Sequence, residues 1–365
     1  HTNSQTVTGV QTCALPISLS AYHVPETGDV VKLDAMESPY PWPDEDLRAA
    51  WLEVVAEAGA NRYPDPRARS VAGRLRGHMG LVPDTGLVLG NGSDELIQLL
   101  TLAVARPGAK VLAPEPTFVM YRMIATFCGV EFVGVPLDED FALDVPAMEA
   151  AIEAHDPALV WLAWPNNPTG NLWPREAIHR VLAKAGGLVV VDEAYHPFAQ
   201  DSFVDELDRH GNLAVLRTLS KLGLAGLRLG ALAGPRDWLH EIDKLRLPYN
   251  VNALTQASVA FALDHFDRLE TRAATIRAER ERLVRRLAAL PGVTVFPSAA
   301  NFVLLRVPGG RARGVFEGLL ADGILVKCLD GSHPRLADCL RVTVGTPGEN
   351  AQLLEALERR VRDAA

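Results

Sequence analysis

The chain has 365 residues, of which 48% are hydrophobic and 22% charged, and its formal net charge is −9. This length exceeds one compact core of ordinary size, so we expect two domains. The negative charge and the lack of a basic stripe argue against nucleic acid as a partner, and no apolar run approaches the roughly 20 residues that span a membrane.

The cysteines are scattered along the sequence, with no CxxC pair and no histidine at ligand spacing, at Cys13, Cys128, Cys328 and Cys339. This pattern predicts neither a metal site nor a disulfide scaffold. A reducing cytoplasm is the expected location.

The start of the chain differs in character from the rest. Residues 7–17 (VTGVQTCALPI) resemble the in-frame translation of a sequencing-library adapter, and they lack the basic and apolar regions of a signal peptide. We interpret residues 1–17 as a non-native leader, and we predict that residues 7–17 make no packed contacts. Residues 18–43, with a short strand at Val30–Leu33 and prolines at 39, 41 and 43, are predicted to form an extended N-terminal arm.

A helix capped by Asp44 opens the next segment, and beyond residue 86 apolar strands alternate with helical stretches. Several strands are continuous apolar runs, as is typical of a mostly parallel sheet with helices on both faces. The predicted strands are Leu87–Leu89, Lys110–Ala113, Glu131–Val135, Leu159–Trp164, Leu188–Val191, Leu213–Leu219 and Leu229–Ala233. Residues 44–250 are therefore predicted to form a three-layer α/β domain with a mixed sheet, and to bind a ligand at the carboxyl ends of the strands.

Arginine- and glutamate-rich helices follow at residues 251–290 and are predicted to connect this domain to a second one. Residues 291–365 are predicted to form a smaller α+β domain. Its expected strands are Asn301–Val307, Ile324–Cys328 and Leu340–Val344.

Two polar residues follow buried strands and suggest a chemistry. The amine of Lys221 can bind the aldehyde of pyridoxal 5'-phosphate covalently, while Ser220 and Arg228 bind its phosphate. A carboxylate at Asp192 would keep the pyridine nitrogen protonated, so that the ring accepts electrons from a substrate carbon. Taken singly, the lysine also fits an exposed surface side chain, and the aspartate fits a helix cap.

Other polar residues fit the same cofactor. The amides of Ser93 and Asp94, at the start of a helix, can bind phosphate, although the serine also fits an ordinary helix cap. Asn167 and Tyr195 can donate to the ring oxygen, although an Asn-Pro-Thr-Gly sequence also forms simple turns.

Three further side chains have two interpretations each. Phe118 can stack on a cofactor ring or belong to the core, and Tyr63 is equally ambiguous. Arg341 lies within an apolar strand and should face an anion, which is either a structural carboxylate or the acidic group of a substrate.

Together these motifs resemble histidinol-phosphate aminotransferases, which are class I and II pyridoxal-phosphate enzymes. The resemblance runs in the same order from about Tyr22 to the C-terminus. It rests on residues 33–40 (LDAMESPY), 62–66 (RYPDP), 92–95 (GSDE), 166–170 (NNPTG), 192–195 (DEAY), 218–221 (TLSK) and 340–345 (LRVTVG).

The resemblance implies a fold type I homodimer with shared active sites, in which Tyr63 reaches the cofactor phosphate of the neighbouring subunit. The implied catalytic residues are Lys221, Asp192 and Tyr195. The implied cofactor-binding residues are Ser93, Asp94, Phe118, Asn167, Asp192, Tyr195, Ser220, Lys221, Arg228 and Tyr63. The implied ligands of the substrate phosphate are Tyr22, Lys327 and Arg341.

The implied reaction moves an amino group between glutamate with 2-oxoglutarate and histidinol phosphate with imidazole-acetol phosphate, in histidine biosynthesis. An aromatic amino-acid aminotransferase, a phosphoamino-acid decarboxylase of the same fold and a non-catalytic ligand-binding relative are the alternatives. The sequence departs from the family at Ser38, where asparagine is usual, and at Phe118, where tyrosine is usual. It also has Lys327 where arginine is frequent, which replaces bidentate phosphate binding by a point charge.

Overall fold

A computed structural model describes residues 28–363 of the chain. The predicted leader, residues 1–17, and the predicted substrate ligand Tyr22 lie outside the described residues. No helix within residues 28–363 is long and apolar enough to cross a membrane.

The helices and strands alternate along the chain much as the apolar pattern predicts. The α-helices are α1 (Arg48–Ala56), α2 (Arg69–Met79), α3 (Ser93–Val104), α4 (Val119–Phe127), α5 (Val145–His155), α6 (Arg175–Lys184), α7 (His196–Ala199), α8 (Arg236–Asp243), α9 (Ala253–Asp264), α10 (Phe266–Leu287), α11 (Ala312–Ala321) and α12 (Pro347–Asp363). The strands are β1 (Val31–Lys32), β2 (Gly86–Gly90), β3 (Lys110–Glu115), β4 (Glu131–Pro136), β5 (Leu159–Ala163), β6 (Leu188–Asp192), β7 (Leu213–Thr218), β8 (Gly230–Gly234), β9 (Thr294–Val295), β10 (Phe302–Arg306), β11 (Ile324–Leu325), β12 (Lys327–Cys328) and β13 (Cys339–Thr343).

A seven-stranded sheet, in the order β2-β8-β7-β6-β5-β3-β4, organises the first part of the molecule. Its strands pair in parallel except for β8, which is antiparallel to both neighbours. The carboxyl ends of β2, β5, β6 and β7 therefore share one edge with the amino end of β8. The loops next to these strands, and the loop after β3, meet there.

Both faces of this sheet are covered, as alternation along β5 shows. Trp161 packs in a cluster with residues of α3 and α4, whereas its neighbours Val160 and Leu162 pack with residues of α5 and α6. All three side chains are fully buried. The predicted α/β class, with a mostly parallel mixed sheet between helical layers, is confirmed.

A four-stranded antiparallel sheet, in the order β12-β13-β10-β9, forms the core of the C-terminal part. The short β1 pairs in parallel with β11, so the chain before the large sheet is anchored on the C-terminal part. This anchor brings residues 33–36 to the carboxyl edge of the large sheet, where Lys221 Nζ donates to the carbonyl of Ala35. The domain boundaries proposed from the sequence stay a prediction.

Two local predictions differ from the structure. The segment 324–328 forms two strands with different partners, because β11 pairs with β1 and β12 pairs with β13. Asp44 makes no side-chain capping bond, because its carboxylate instead binds Arg272, and the first α-helix begins only at Arg48.

Candidate active site

A cavity with about 570 Å³ of open space lies at the carboxyl edge of the large sheet. The lining residues come from loops far apart in sequence: Met36, Ser93, Asp94, Phe118, Ala163, Pro165, Asn167, Asp192, Ala194, Tyr195, Thr218, Ser220, Lys221 and Arg228. Nine of the residues predicted from the sequence are among them.

Asp192 ends β6 and is the acid of the cavity. It is buried, and its two oxygens accept hydrogen bonds from the Tyr121 hydroxyl at 2.6 Å and from the Ala194 backbone amide at 3.0 Å. Burial raises the pKa of Asp192 to about 6, although both hydrogen bonds act in the opposite direction. A positive group beside this carboxylate would therefore be favoured.

Tyr121, which sequence reasoning missed, fixes the direction of this carboxylate. Its ring is fully buried and stacks on Trp161 at 4.9 Å between centroids, and its edge meets Phe118. A signal was available, because a tyrosine one helical turn after Phe118 points to the same side as Phe118, and a buried hydroxyl needs a partner. Burial, together with the charge of Asp192, raises the pKa of Tyr121 well above its ordinary value, so it acts as a donor.

The substitution Tyr121→Phe tests this positioning role. It removes a hydrogen bond to a charged group, worth about 1.5–3 kcal/mol, so the pKa of Asp192 should rise by about one to two units. The expected result is an upward shift of the pH at which Asp192 ionises in the cofactor-free protein. Infrared or NMR titration measures it, and Tyr40→Phe, at a tyrosine that does not line the cavity, is the control. An unchanged titration would contradict the role.

Lys221 is the amine of the cavity and lies in a short, kinked π-helical turn, Ser220–Leu224, in the loop after β7. Its Nζ donates to the Ala35 carbonyl at 3.1 Å and lies 6.0 Å from the centre of the Tyr195 ring. Burial lowers the pKa of Lys221 to about 8, and the positive charge of Arg341 acts in the same direction. The uncharged, nucleophilic form of the amine is therefore much more populated near neutral pH than it is in an exposed lysine.

The turn before α3 forms one end of the cavity with Arg228. Gly92, at a φ of 85°, occupies the cap position that a serine could have taken, and Ser93 is the first helical residue. A β-carbon on Gly92 would lie 2.5 Å from Arg228 Nη2, so the glycine leaves room for the guanidinium. Arg228 donates to the Ser220 hydroxyl at 3.3 Å and lies 3.7 Å from Asp94.

Asn167 and Tyr195 also line the cavity, and both are buried. The Asn167 amide donates to the Tyr195 hydroxyl at 3.2 Å, while its oxygen accepts from Arg341 at 2.5 Å. The neighbouring Asn166 instead donates to Thr169 and to the Pro116 carbonyl. Asn166 therefore holds the loop, and Asn167 faces the cavity.

Arg341 is buried in β13 and also donates to the Asp34 carbonyl at 2.9 Å. Its Cα is paired in register with that of Lys327 on β12, so the two predicted substrate ligands occupy neighbouring strands. Tyr63 does not line the cavity. It is 80% exposed and stacks on Tyr249 at 4.4 Å between ring centres.

The structure thus brings nine of the predicted residues to one cavity and connects Arg341 to it through Asn167. The sequence model of the family described as aminotransferase class I and II matches residues 28–357. The chain belongs to the class I and II aminotransferase family.

Within this family the chain is similar to proteins named histidinol-phosphate aminotransferase. It is 53% identical to one from Burkholderia lata over 343 residues, covering 94% of this chain and 95% of the relative. It is 54% identical to one from Ralstonia nicotianae over 351 residues, covering 95% and 93%. These relatives confirm the resemblance inferred from the sequence motifs, and they confirm the aminotransferase class.

A solved structure supports the same relationship. The histidinol-phosphate aminotransferase from Sinorhizobium meliloti, in complex with pyridoxal-5'-phosphate, superposes with a TM-score of 0.84 at 26% identity. The match covers 96% of this aminotransferase and all of that chain. The three-layer α/β fold predicted from the strand pattern is therefore also the fold of a relative solved with bound cofactor.

Proposed function

We propose that this aminotransferase uses pyridoxal 5'-phosphate to move an amino group between glutamate with 2-oxoglutarate and histidinol phosphate with imidazole-acetol phosphate. The reaction belongs to histidine biosynthesis. One observation carries the proposal: Lys221, Asp192 and Tyr195 line a single cavity in a chain 53% identical to a histidinol-phosphate aminotransferase.

The chemistry of the cavity fits this cofactor. Lys221 offers an amine to the aldehyde, Asp192 a buried carboxylate to the pyridine nitrogen, and Tyr195 a hydroxyl to the ring oxygen. Ser220, Arg228 and the amides that open α3 offer donors to the phosphate, since first-turn amides have no acceptor within their helix. When bound, the cofactor supplies an electron sink for the charge left on a substrate carbon that loses its proton.

Each side chain of the cavity would have its own role in the reaction. Lys221, whose pKa is lowered to about 8, would take and return a proton at the substrate carbon. Asp192 would stay ionised beside a protonated ring nitrogen, and Tyr121 donates a hydrogen bond to one of its carboxylate oxygens. Asn167 and Tyr195 would orient the ring oxygen, and Phe118 would stack on the ring face.

Arg341 and Lys327 would bind the acidic group of the substrate. Burial of the Arg341 guanidinium favours an anion beside it. Arg341 also holds the oxygen of Asn167, so the amide of Asn167 points toward Tyr195. Substrate binding and orientation of the cofactor ring would therefore share one hydrogen-bond chain.

The proposed assembly is a homodimer in the cytoplasm, with Tyr63 reaching the cofactor phosphate of the neighbouring subunit. The exposure of Tyr63, Tyr249 and Leu247 supports it, because large apolar surfaces rarely stay uncovered. Small-molecule substrates are the other proposed partners.

Half-reactions of the cofactor-loaded protein test the substrate. We expect histidinol phosphate to convert the cofactor to its amine form at least about 10²-fold faster than histidinol, because charged groups built for a phosphate are left unpaired without one. Stopped-flow absorbance measures the rates. Faster conversion with phenylalanine would favour an aromatic aminotransferase, and release of carbon dioxide from threonine phosphate would favour a decarboxylase.

A further inference from the structure

A cluster of potential metal ligands lies outside the cavity. Within residues 28–363, ligand atoms of His179, Glu206 and His210 all lie within 4.8 Å of one another. His179 is on α6, Glu206 ends the short helical turn Val204–Glu206, and His210 follows before β7. Two imidazoles and one carboxylate form a donor set that zinc commonly uses. None of the cysteines considered in the sequence is involved.

Both histidines approach the same oxygen of Glu206. Glu206 Oε2 lies 2.8 Å from His179 Nε2 and 3.4 Å from His210 Nε2. Zinc bonds of about 2.0–2.1 Å in tetrahedral geometry separate neighbouring ligand atoms by roughly 3.3–3.5 Å. Shifts of about an ångström would therefore place all three around one ion.

A neighbouring arginine orients the carboxylate. Arg175 binds the other oxygen of Glu206, Oε1, so Oε2 faces the histidines. Glu206 is only 5% exposed, which limits its freedom to turn away. Metal-binding carboxylates are commonly fixed by such outer hydrogen bonds.

The local charge favours a cation. Arg175 also pairs with Asp201 and Asp205, so three carboxylates surround one guanidinium and leave an excess of negative charge. The side chains of His179 and His210 are 40% and 32% exposed, so an ion can enter and keep water as a further ligand.

We propose that His179, Glu206 and His210 bind a divalent transition-metal ion of the zinc class, which joins α6 to the segment leading into β7. This segment also contacts the active-site strand, because Ser202 and the amide of Phe203 donate to Glu193, the residue after Asp192. The ion would stabilise the fold without taking part in the transfer of the amino group. If Glu206 served only as the centre of an ion-pair network, no metal affinity would result.

Zinc titration of the metal-stripped, cofactor-loaded protein tests the site. We expect one zinc ion per chain by calorimetry, with a rise in the thermal midpoint, and no binding of magnesium, which prefers oxygen ligands. His179→Ala and His210→Ala should each weaken zinc binding by at least the roughly 10–100-fold that loss of an outer-shell partner costs. His240→Ala, at an exposed histidine on α8, should change nothing.

The variants also separate a metal site from damage to the fold. Both histidine variants retain the Arg175–Glu206 pair. His210 lies further from Glu206 than His179 does, so His210→Ala is the milder change. Its thermal midpoint without metal should match that of the unmodified protein, as should its transamination rate. Wild-type protein that binds no zinc, or histidine variants that bind it equally well, would overturn the proposal.

Discussion

Replacing Lys221 by alanine is expected to lower the transamination rate by at least about 10⁴-fold, the upper end of what a positioned general base contributes. The substitution removes both the amine proposed to bind the cofactor covalently and the group proposed to carry the proton. The visible absorption that depends on this covalent bond should disappear as well. Steady-state turnover and absorption spectra of the cofactor-loaded protein measure the two effects.

Two controls separate chemistry from folding in this experiment. Lys244→Ala removes an exposed lysine that forms an ion pair with Glu241 on α8, and it should leave both signals unchanged. Added methylamine should restore part of the proton transfer in Lys221→Ala, because a small base can occupy the space of the missing side chain. Full activity in Lys221→Ala would exclude this residue as the reacting amine.

Asp192→Asn is expected to lower the transamination rate by about 10²- to 10³-fold or more, as loss of a single preorganised electrostatic group does at other active sites. The amide is nearly isosteric and can still accept from Tyr121, but it cannot keep the ring nitrogen protonated. Turnover with saturating cofactor measures the effect. Asp138→Asn, at an exposed aspartate away from the cavity, is the matched control.

The pH dependence of cofactor binding should change in the same variant. Because burial raises the pKa of Asp192 to about 6, this carboxyl is largely neutral below that pH. A positively charged ring binds the ionised form, so cofactor affinity should strengthen as the pH rises through about 6 and then level off. The cofactor phosphate titrates nearby, with a pKa of about 6, and Asp192→Asn retains only that part of the dependence. Identical pH profiles for the two proteins would count against the role of Asp192.

The strands and the position of the site could be predicted because their causes are local. The continuous apolar runs that became β5 and β6 can be buried only between two helical layers, and parallel strands bring their carboxyl ends to one edge. The positions of Asp192 and Lys221 at that edge follow directly from this rule. The contacts of Arg341 could not be predicted by that rule, because its partners, Asn167 and the Asp34 carbonyl, lie 174 and 307 residues away in the sequence.

Features that depend on tertiary contacts were not predicted from the sequence. Tyr121 supports Asp192 only because α4 packs over β5, where Trp161 provides a stacking surface. Asp44 precedes a helix and fits a helix cap, but its carboxylate forms an ion pair with Arg272 of α10 instead of a capping hydrogen bond. The split of residues 324–328 into two strands depends on β1, which arrives from the other end of the chain.

Borohydride reduction of the cofactor-loaded protein, followed by peptide mass spectrometry, tests the central claim most directly. Reduction makes the bond between cofactor and lysine permanent, so the account predicts a pyridoxyl group on Lys221, in the loop after β7. A pyridoxyl group on another lysine, or no labelled peptide at all, would contradict the account.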